Sequence, residues 1–390
     1  MKIRFLLHNV YAKGGGVVTV TLALAEELAV RHDVELVSVF GEPPAIHELP
    51  DGVKVAPLVA RWDRRVPRML RSWLADRPSR LVPPTESRFT DYSAWSDLVL
   101  RLYLRSLRDG VVVTMQPALN IAAARVAPRQ CLLVAQDHRP YRSRDAGIRG
   151  AYQQHAGRLD ALLTLTRADA RKYRSLLGDQ VLVQAVPNGT PPYEGARSTC
   201  ENQVVVAAGR LSRSKGFDVL VDAWAEVAKS HPDWCLQIWG EGHLEDELSR
   251  QIEKSGLSRQ VRLMGWSPSL QAEMAEASVF VLSSRAEGYP RVILEAMACG
   301  LPVVSTDCPS GPREMITSGV DGVLVPNQDP QALAAALSDM IRSGPEARRA
   351  LGAAGLERVE VLDQREVARR WERLLRRVQR RRSSKERKNR

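Results

Sequence analysis

At 390 residues the chain is too long for one ordinary core and predicts two domains. Its 44% hydrophobic and 26% charged residues exclude a disordered chain, and no uninterrupted apolar run reaches the roughly 18 residues of a membrane-spanning helix. Five scattered cysteines without a C-x-x-C pair argue against a disulfide framework or a zinc site, and the net charge of +11 points to an anionic partner or a solvated basic face.

The first strand is predicted over Ile3–Leu7, in MKIRFLLHNV, which reads as a strand rather than a signal peptide. Gly14, Gly15 and Gly16 then turn the chain into a helix-period stretch from about Val17 to Ala29, followed by VELVSVF (34–40), a run expected of a strand buried on both faces. That order is a βαβ unit. Residues 60–95, rich in Arg and Pro, read as an irregular or insertional segment. Further strands are predicted at 111–115, 131–136 and 161–166. The Pro- and Gly-dense stretch 186–203 reads as a linker region. The expected division is an N-terminal domain over 1–190, a linker over 191–202 and a C-terminal domain over 203–362. Short apolar runs at 204–209, 235–240, 261–265, 279–284 and 302–306 alternate with helix-period segments, the signature of a parallel sheet. Past Pro330 the pattern is helical, and 381–390 is expected to be a basic, disordered tail.

Ligands of open parallel sheets bind at the carboxyl ends of strands, so the polar residues there are the candidates. The densest segment is Ser284-Arg285-Ala286-Glu287-Gly288-Tyr289-Pro290-Arg291-Val292-Ile293-Leu294-Glu295-Ala296-Met297-Ala298-Cys299-Gly300. Gly288 allows close backbone approach, and Pro290 suits the first turn of a helix that stops at Gly300. The free N–H groups and positive dipole end of such a helix suit a diphosphate, and Glu295, just over one turn in, can bond vicinal hydroxyls. Arg210 and Lys215, in Gly209-Arg210-Leu211-Ser212-Arg213-Ser214-Lys215-Gly216, sit at a strand end where their charges can converge on the same diphosphate.

These segments resemble the retaining glycosyltransferases of sequence family 4. Glu287 and Glu295 match the E-x(7)-E motif of that family, and Gly209–Gly216 its "G-R-L-x(3)-K-G" element. The resemblance implies an α/β fold of the GT-B kind, two Rossmann-like domains whose parallel sheets face a central cleft, with 363–380 crossing back onto the N-terminal domain. It implies that Glu287 contacts the donor sugar, that the N–H groups of Gly288, Tyr289, Arg291 and Val292, around Pro290, hold phosphate and sugar oxygens, and that Glu295 bonds the ribose. Trp266, in Gly265-Trp266, would lie against the base, although a packing role is the equal alternative. In the N-terminal half, Gly15 and Gly16 would approach the diphosphate or the acceptor. His138, in Gln136-Asp137-His138, would stand near the anomeric centre, with Asp137 either orienting it or acting itself.

The reaction implied is transfer of a hexose or N-acetylhexosamine from a UDP-sugar by same-face substitution, with Arg210 and Lys215 stabilising the leaving diphosphate. Asp307-Cys308-Pro309-Ser310-Gly311-Pro312-Arg313-Glu314 resembles the variant associated with UDP donors. No Asp-x-Asp triplet occurs, so neither a metal nor a cofactor is expected. The acceptor is expected to be a lipid-linked or cell-envelope glycan. Residues 61–80 carry seven Arg against two Asp, and 372–390 carry ten Lys/Arg against two Glu. Both suggest attraction to an anionic membrane surface from the cytoplasmic side, without nucleic acid, for which no aromatic interleaving or motif is present. The competing readings are a sugar-nucleotide epimerase or hydrolase on the same fold and a degenerate, membrane-associated scaffold.

Overall fold

The computed structural model describes residues 1–12, 16–45, 49–190 and 193–388. The chain forms two units, one of Met1–Gly189 with Gln364–Arg390 and one of Thr190–Asp363.

Unit 1 holds β1 (Lys2–Asn9), β2 (Asp33–Phe40), β3 (Lys54–Pro57), β4 (Val111–Thr114), β5 (Leu132–Asp137), β6 (Ala161–Thr164) and β7 (Leu182–Ala185). They form one sheet in the order β3-β2-β1-β4-β5-β6-β7, and every pairing is parallel. Ile3 stands opposite both Val34 and Val111, so strand order reverses between β1 and β4. A crevice is expected at the carboxyl ends of that pair. Alternate residues of β1 feed opposite faces: Leu6 joins a core with Val112, Trp95 and Tyr152, while Ile3, Phe5 and Leu7 join one with Leu24, Val134 and Trp371. Trp371, 1% exposed, lies on the helix Gln364–Lys388 and meets the Phe5 ring edge-on at 6.2 Å.

Unit 2 holds β8 (Val204–Ala208), β9 (Cys235–Trp239), β10 (Val261–Gly265), β11 (Val279–Leu282), β12 (Val303–Thr306) and β13 (Val323–Val325). Their order is β10-β9-β8-β11-β12-β13, all parallel, with the reversal between β8 and β11. Trp224, on the helix Phe217–Ser230, is fully buried between this sheet and the helix Pro330–Arg342 that shares its core.

Three elements depart from the sequence reading. β3, β7 and β13 are additional to those expected: each is a short, partly buried strand at a sheet edge, without the continuous apolar run of a strand covered on both faces. Residues 60–95 are less irregular than expected, with helices at Leu58–Asp63 and Arg68–Ala75. The expected tail is helical as far as Lys388, because Arg381, Arg382 and Lys385 donate to the backbone carbonyls of Asp179, Cys131 and Gln180 at 2.6, 2.8 and 3.0 Å. Part of the proposed linker, 191–192, lies outside the described residues, as do 389–390.

Candidate functional site

The loops leaving β8, β9, β11 and β12 interlock through their backbones. Gly216 adopts φ +65°, and a Cβ there would fall 2.2 Å from the Ser283 carbonyl, so the β8 loop lies directly on the end of β11. Ser283 Oγ donates to the Lys215 carbonyl at 3.0 Å, and the Arg285 N–H donates to the Ser214 carbonyl at 2.8 Å. The Arg285 guanidinium then clamps Asp218 with two bonds of 2.7 and 2.6 Å, a forked pairing that fixes the loop to the helix Phe217–Ser230. Glu287 is locked by its backbone as well: its N–H donates to Pro309 at 2.9 Å, and its carbonyl accepts from Ser310 at 2.8 Å.

This scaffold brings Lys215 and Glu287 together across 72 residues of sequence. Lys215 Nζ lies 2.6 Å from Glu287 Oε1, and the same oxygen accepts from Ser284 Oγ at 2.7 Å. The pair is mostly shielded, the side chains being 24% and 12% exposed. Beside it, burial first and the Glu287 charge second push the Cys308 thiol up to about 12, so it stays protonated. The helix Arg291–Ala298 begins just after Pro290, which sits at the capping position rather than inside the first turn, and Gly300 follows it with φ +76°. Arg291 and Glu295 form an ion pair of 3.1 Å at the start of that helix. Gly288 and Val292 are half-buried and Tyr289 and Pro290 buried, so this end of the helix presents chiefly backbone. Arg210 is exposed, and among the described residues its side chain makes no ion pair or hydrogen bond. Trp266 follows β10 and is 62% exposed.

The remaining candidates lie in unit 1, at the β1/β4 reversal. A cavity of about 230 Å³ there is lined by His8, Asn9, Gly16, Tyr92, Gln116 and His138, among others. Gly16 opens the helix Gly16–Ala29; Gly14 and Gly15 lie outside the described residues. His138 Nε2 is buried and unpartnered, and burial lowers its pKa to about 4, so the ring is neutral near pH 7. Among the described residues Asp137 makes no hydrogen bond to the His138 ring. Its carboxylate is buried and taken up by Arg144 (Nε at 2.9 Å, with a second contact from Nη2), Tyr173 Oη at 2.7 Å and the Arg139 N–H at 3.1 Å. The reason is burial: a carboxylate at the end of β5 needs a full set of donors, and Arg144 supplies the charge.

Sequence reasoning missed His8. Its Nε2 lies 3.1 Å from Asp91 Oδ2 and its Nδ1 3.1 Å from Tyr92 Oη, and burial, then the Arg88 charge, lowers its pKa to about 4. Its place at the carboxyl end of the first strand was the available signal.

Residues 202–343 match the family model described as Glycosyl transferases group 1. An exopolysaccharide phosphotransferase of Streptomyces coelicolor is 34% identical over 353 residues, which are 87% of this chain but 37% of that protein. The chain thus spans little more than a third of that relative. The amylovoran biosynthesis glycosyltransferase AmsD of Erwinia amylovora is 28% identical over 62% of this chain and 70% of its own length. Among solved structures, S. aureus TarM with UDP superposes at a TM-score of 0.77 with 14% identity, over 96% of this chain and 99% of that one. Anabaena HepE with UDP and glucose gives 0.73 with 21% identity and the same two coverages. The chain therefore has the GT-B fold, and its second unit carries a glycosyl transferases group 1 domain.

Proposed function

We propose that the protein is a retaining glycosyltransferase that moves a hexose or N-acetylhexosamine from a UDP-sugar to a lipid-linked or cell-envelope glycan. The observation that carries this is the Lys215–Glu287–Ser284 cluster, set beside the start of the helix Arg291–Ala298. An ammonium has three N–H donors, so the bond to Glu287 leaves two for phosphate oxygens. Glu287, held on both sides by its backbone, is a rigid acceptor for sugar hydroxyls. Glu295 would take the ribose hydroxyls, and exposed Trp266 would cover the base.

In the reaction, the bond from the anomeric carbon to the diphosphate oxygen breaks while the acceptor oxygen bonds the same face. The acceptor's proton passes to the departing phosphate oxygen. Negative charge grows on that phosphate, so Lys215 and Arg210 lower the barrier more than they stabilise bound substrate. Neutral His138 can accept or donate one hydrogen bond near the sugar without adding charge. No metal is part of this scheme, since the charge it would offset is met by the two cations. The reading supports a cytoplasmic location, in keeping with five free cysteines. Choice of UDP is supported by the GT-B neighbours solved with that nucleotide.

The test is mass spectrometry of products formed from pooled UDP-sugars and a membrane extract, with the anomeric configuration read by NMR. A product of retained configuration that disappears with Glu287→Gln supports the proposal. Transfer from a GDP- or ADP-sugar in preference, or inversion, refutes it.

A further inference from the structure

We propose that the helix Arg68–Ala75 and the arginines around it form a docking surface for an anionic lipid bilayer. This surface is independent of the donor site and does not rest on the transferase reading. The helix buries none of its residues completely. Its inner side is held by Leu74, which packs against the unit 1 core beside Val66 and Trp62, and by Arg71, paired to Asp63 at 3.5 Å. Its outer side carries Met69, Leu70 and Trp73, which are 85%, 50% and 53% exposed. Met69 and Trp73 are four residues apart and share one face. Three large apolar side chains within five residues on a single short helix are costly to leave in water, and the charge around them is mostly positive.

Arg61, Arg65, Arg68, Arg77 and Arg80 are exposed, and among the described residues none of their side chains has an acidic partner. Arg77 lies over the Trp73 ring, its guanidinium carbon 3.4 Å from the ring centroid. That stacking keeps an apolar ring and a cation at one level, the arrangement of an interfacial anchor whose body enters the acyl boundary while its charge stays among headgroups. Of the nearby acids, Asp63 also accepts from Trp95 Nε1 and Glu42 pairs with Arg64 at 3.1 Å, which leaves Asp76, exposed at the end of the helix, as a single negative charge against the five arginines. A soluble polyanion would use the arginines but has no use for Met69 and Trp73. A bilayer uses both. The other basic stretch is less available, since Arg377, Arg381, Arg382 and Lys385 are engaged with unit 1.

The experiment is co-sedimentation of the full chain with phosphatidylcholine vesicles, with and without phosphatidylglycerol, at low and high salt. Binding to the anionic vesicles alone, weakened by salt, is expected. The triple variant Arg65→Gln/Arg68→Gln/Arg77→Gln should lose about 100-fold in affinity, near five-fold for each charge removed. The variant Met69→Ser/Trp73→Ser should also lose binding while its melting temperature holds, because both side chains face solvent. Equal recovery with neutral vesicles overturns the proposal. So does binding that survives these variants but is lost in Arg376→Gln/Arg380→Gln, or heparin binding of equal strength that ignores Met69→Ser/Trp73→Ser. Vesicle binding needs no donor, so its failure leaves the transfer reaction to be judged separately.

Discussion

Replacing Lys215 with Met keeps most of the stem that runs beside Gly209 but deletes the ammonium 2.6 Å from Glu287. Glu287 then keeps Ser284 Oγ as its side-chain partner, with little water around it. A lost hydrogen bond between charged, largely shielded groups costs about 1.5–3 kcal/mol. For a unit of this size that lowers the melting temperature by roughly 3–10 °C. Activity should fall further, because the cation aimed at the departing phosphate is gone, and loss of one such group costs about 100- to 1,000-fold in kcat. The two effects separate in the double variant Lys215→Met/Glu287→Gln. It leaves no unpaired charge and should regain part of the lost stability, yet it should recover no activity. Calorimetry and a steady-state UDP-release assay on the wild type, both single variants and the double variant complete the cycle. A well-folded Lys215→Met protein within ten-fold of wild-type kcat would refute the assigned role.

Gly216→Ala forces a side chain into φ +65° and against the Ser283 carbonyl, and should cost more than about 1 kcal/mol with weakened UDP binding, read by thermal shift with and without UDP. Asp137→Asn leaves Arg144 buried without its counter-charge and should destabilise unit 1 by about 3–5 kcal/mol, read by chemical denaturation; a stable variant with a selective loss of kcat would restore Asp137 as a site residue. His8 is held near 4, whereas the unfolded ring titrates near 6.5, so the unfolded chain binds the extra proton between those values. Its contribution is complete above about pH 6.5 and is lost as pH falls toward 4, by roughly 3 kcal/mol; His138 acts in the same direction. Melting temperatures measured from pH 7.5 to 4.5 should fall less steeply for His8→Gln than for the wild type.

The strands that were readable from sequence are those whose apolar runs are long enough to be buried on both faces, such as Val34–Phe40 and Val204–Ala208. Short edge and near-edge strands such as Lys54–Pro57 and Val323–Val325 carry no such pattern and depend on a neighbour already in place. Residues of the candidate site were legible where function compresses them into one segment, as between Ser284 and Gly300. What sequence could not give was who partners whom. The tie from Lys215 to Glu287, the capture of Asp137 by Arg144 and Tyr173, and the meeting of His8 with Tyr92 are all made by the fold across 7 to 84 residues. Trp266 shows the converse: a Trp after a strand can lie inward or outward, and its 62% exposure is set by the fold, not by its place in the sequence.

Because Trp371 covers Phe5, the order of biosynthesis matters for the first sheet. As the nascent chain emerges, all seven strands of that sheet are available once residue 189 has passed, but the helix that shields one of its faces follows 174 residues later, after the whole of Thr190–Asp363. During that interval the Phe5 side of the sheet has only the helix Gly16–Ala29 as native cover, and the part that Trp371 later shields is a point open to capture by chaperones and to mispairing between neighbouring polysomal chains.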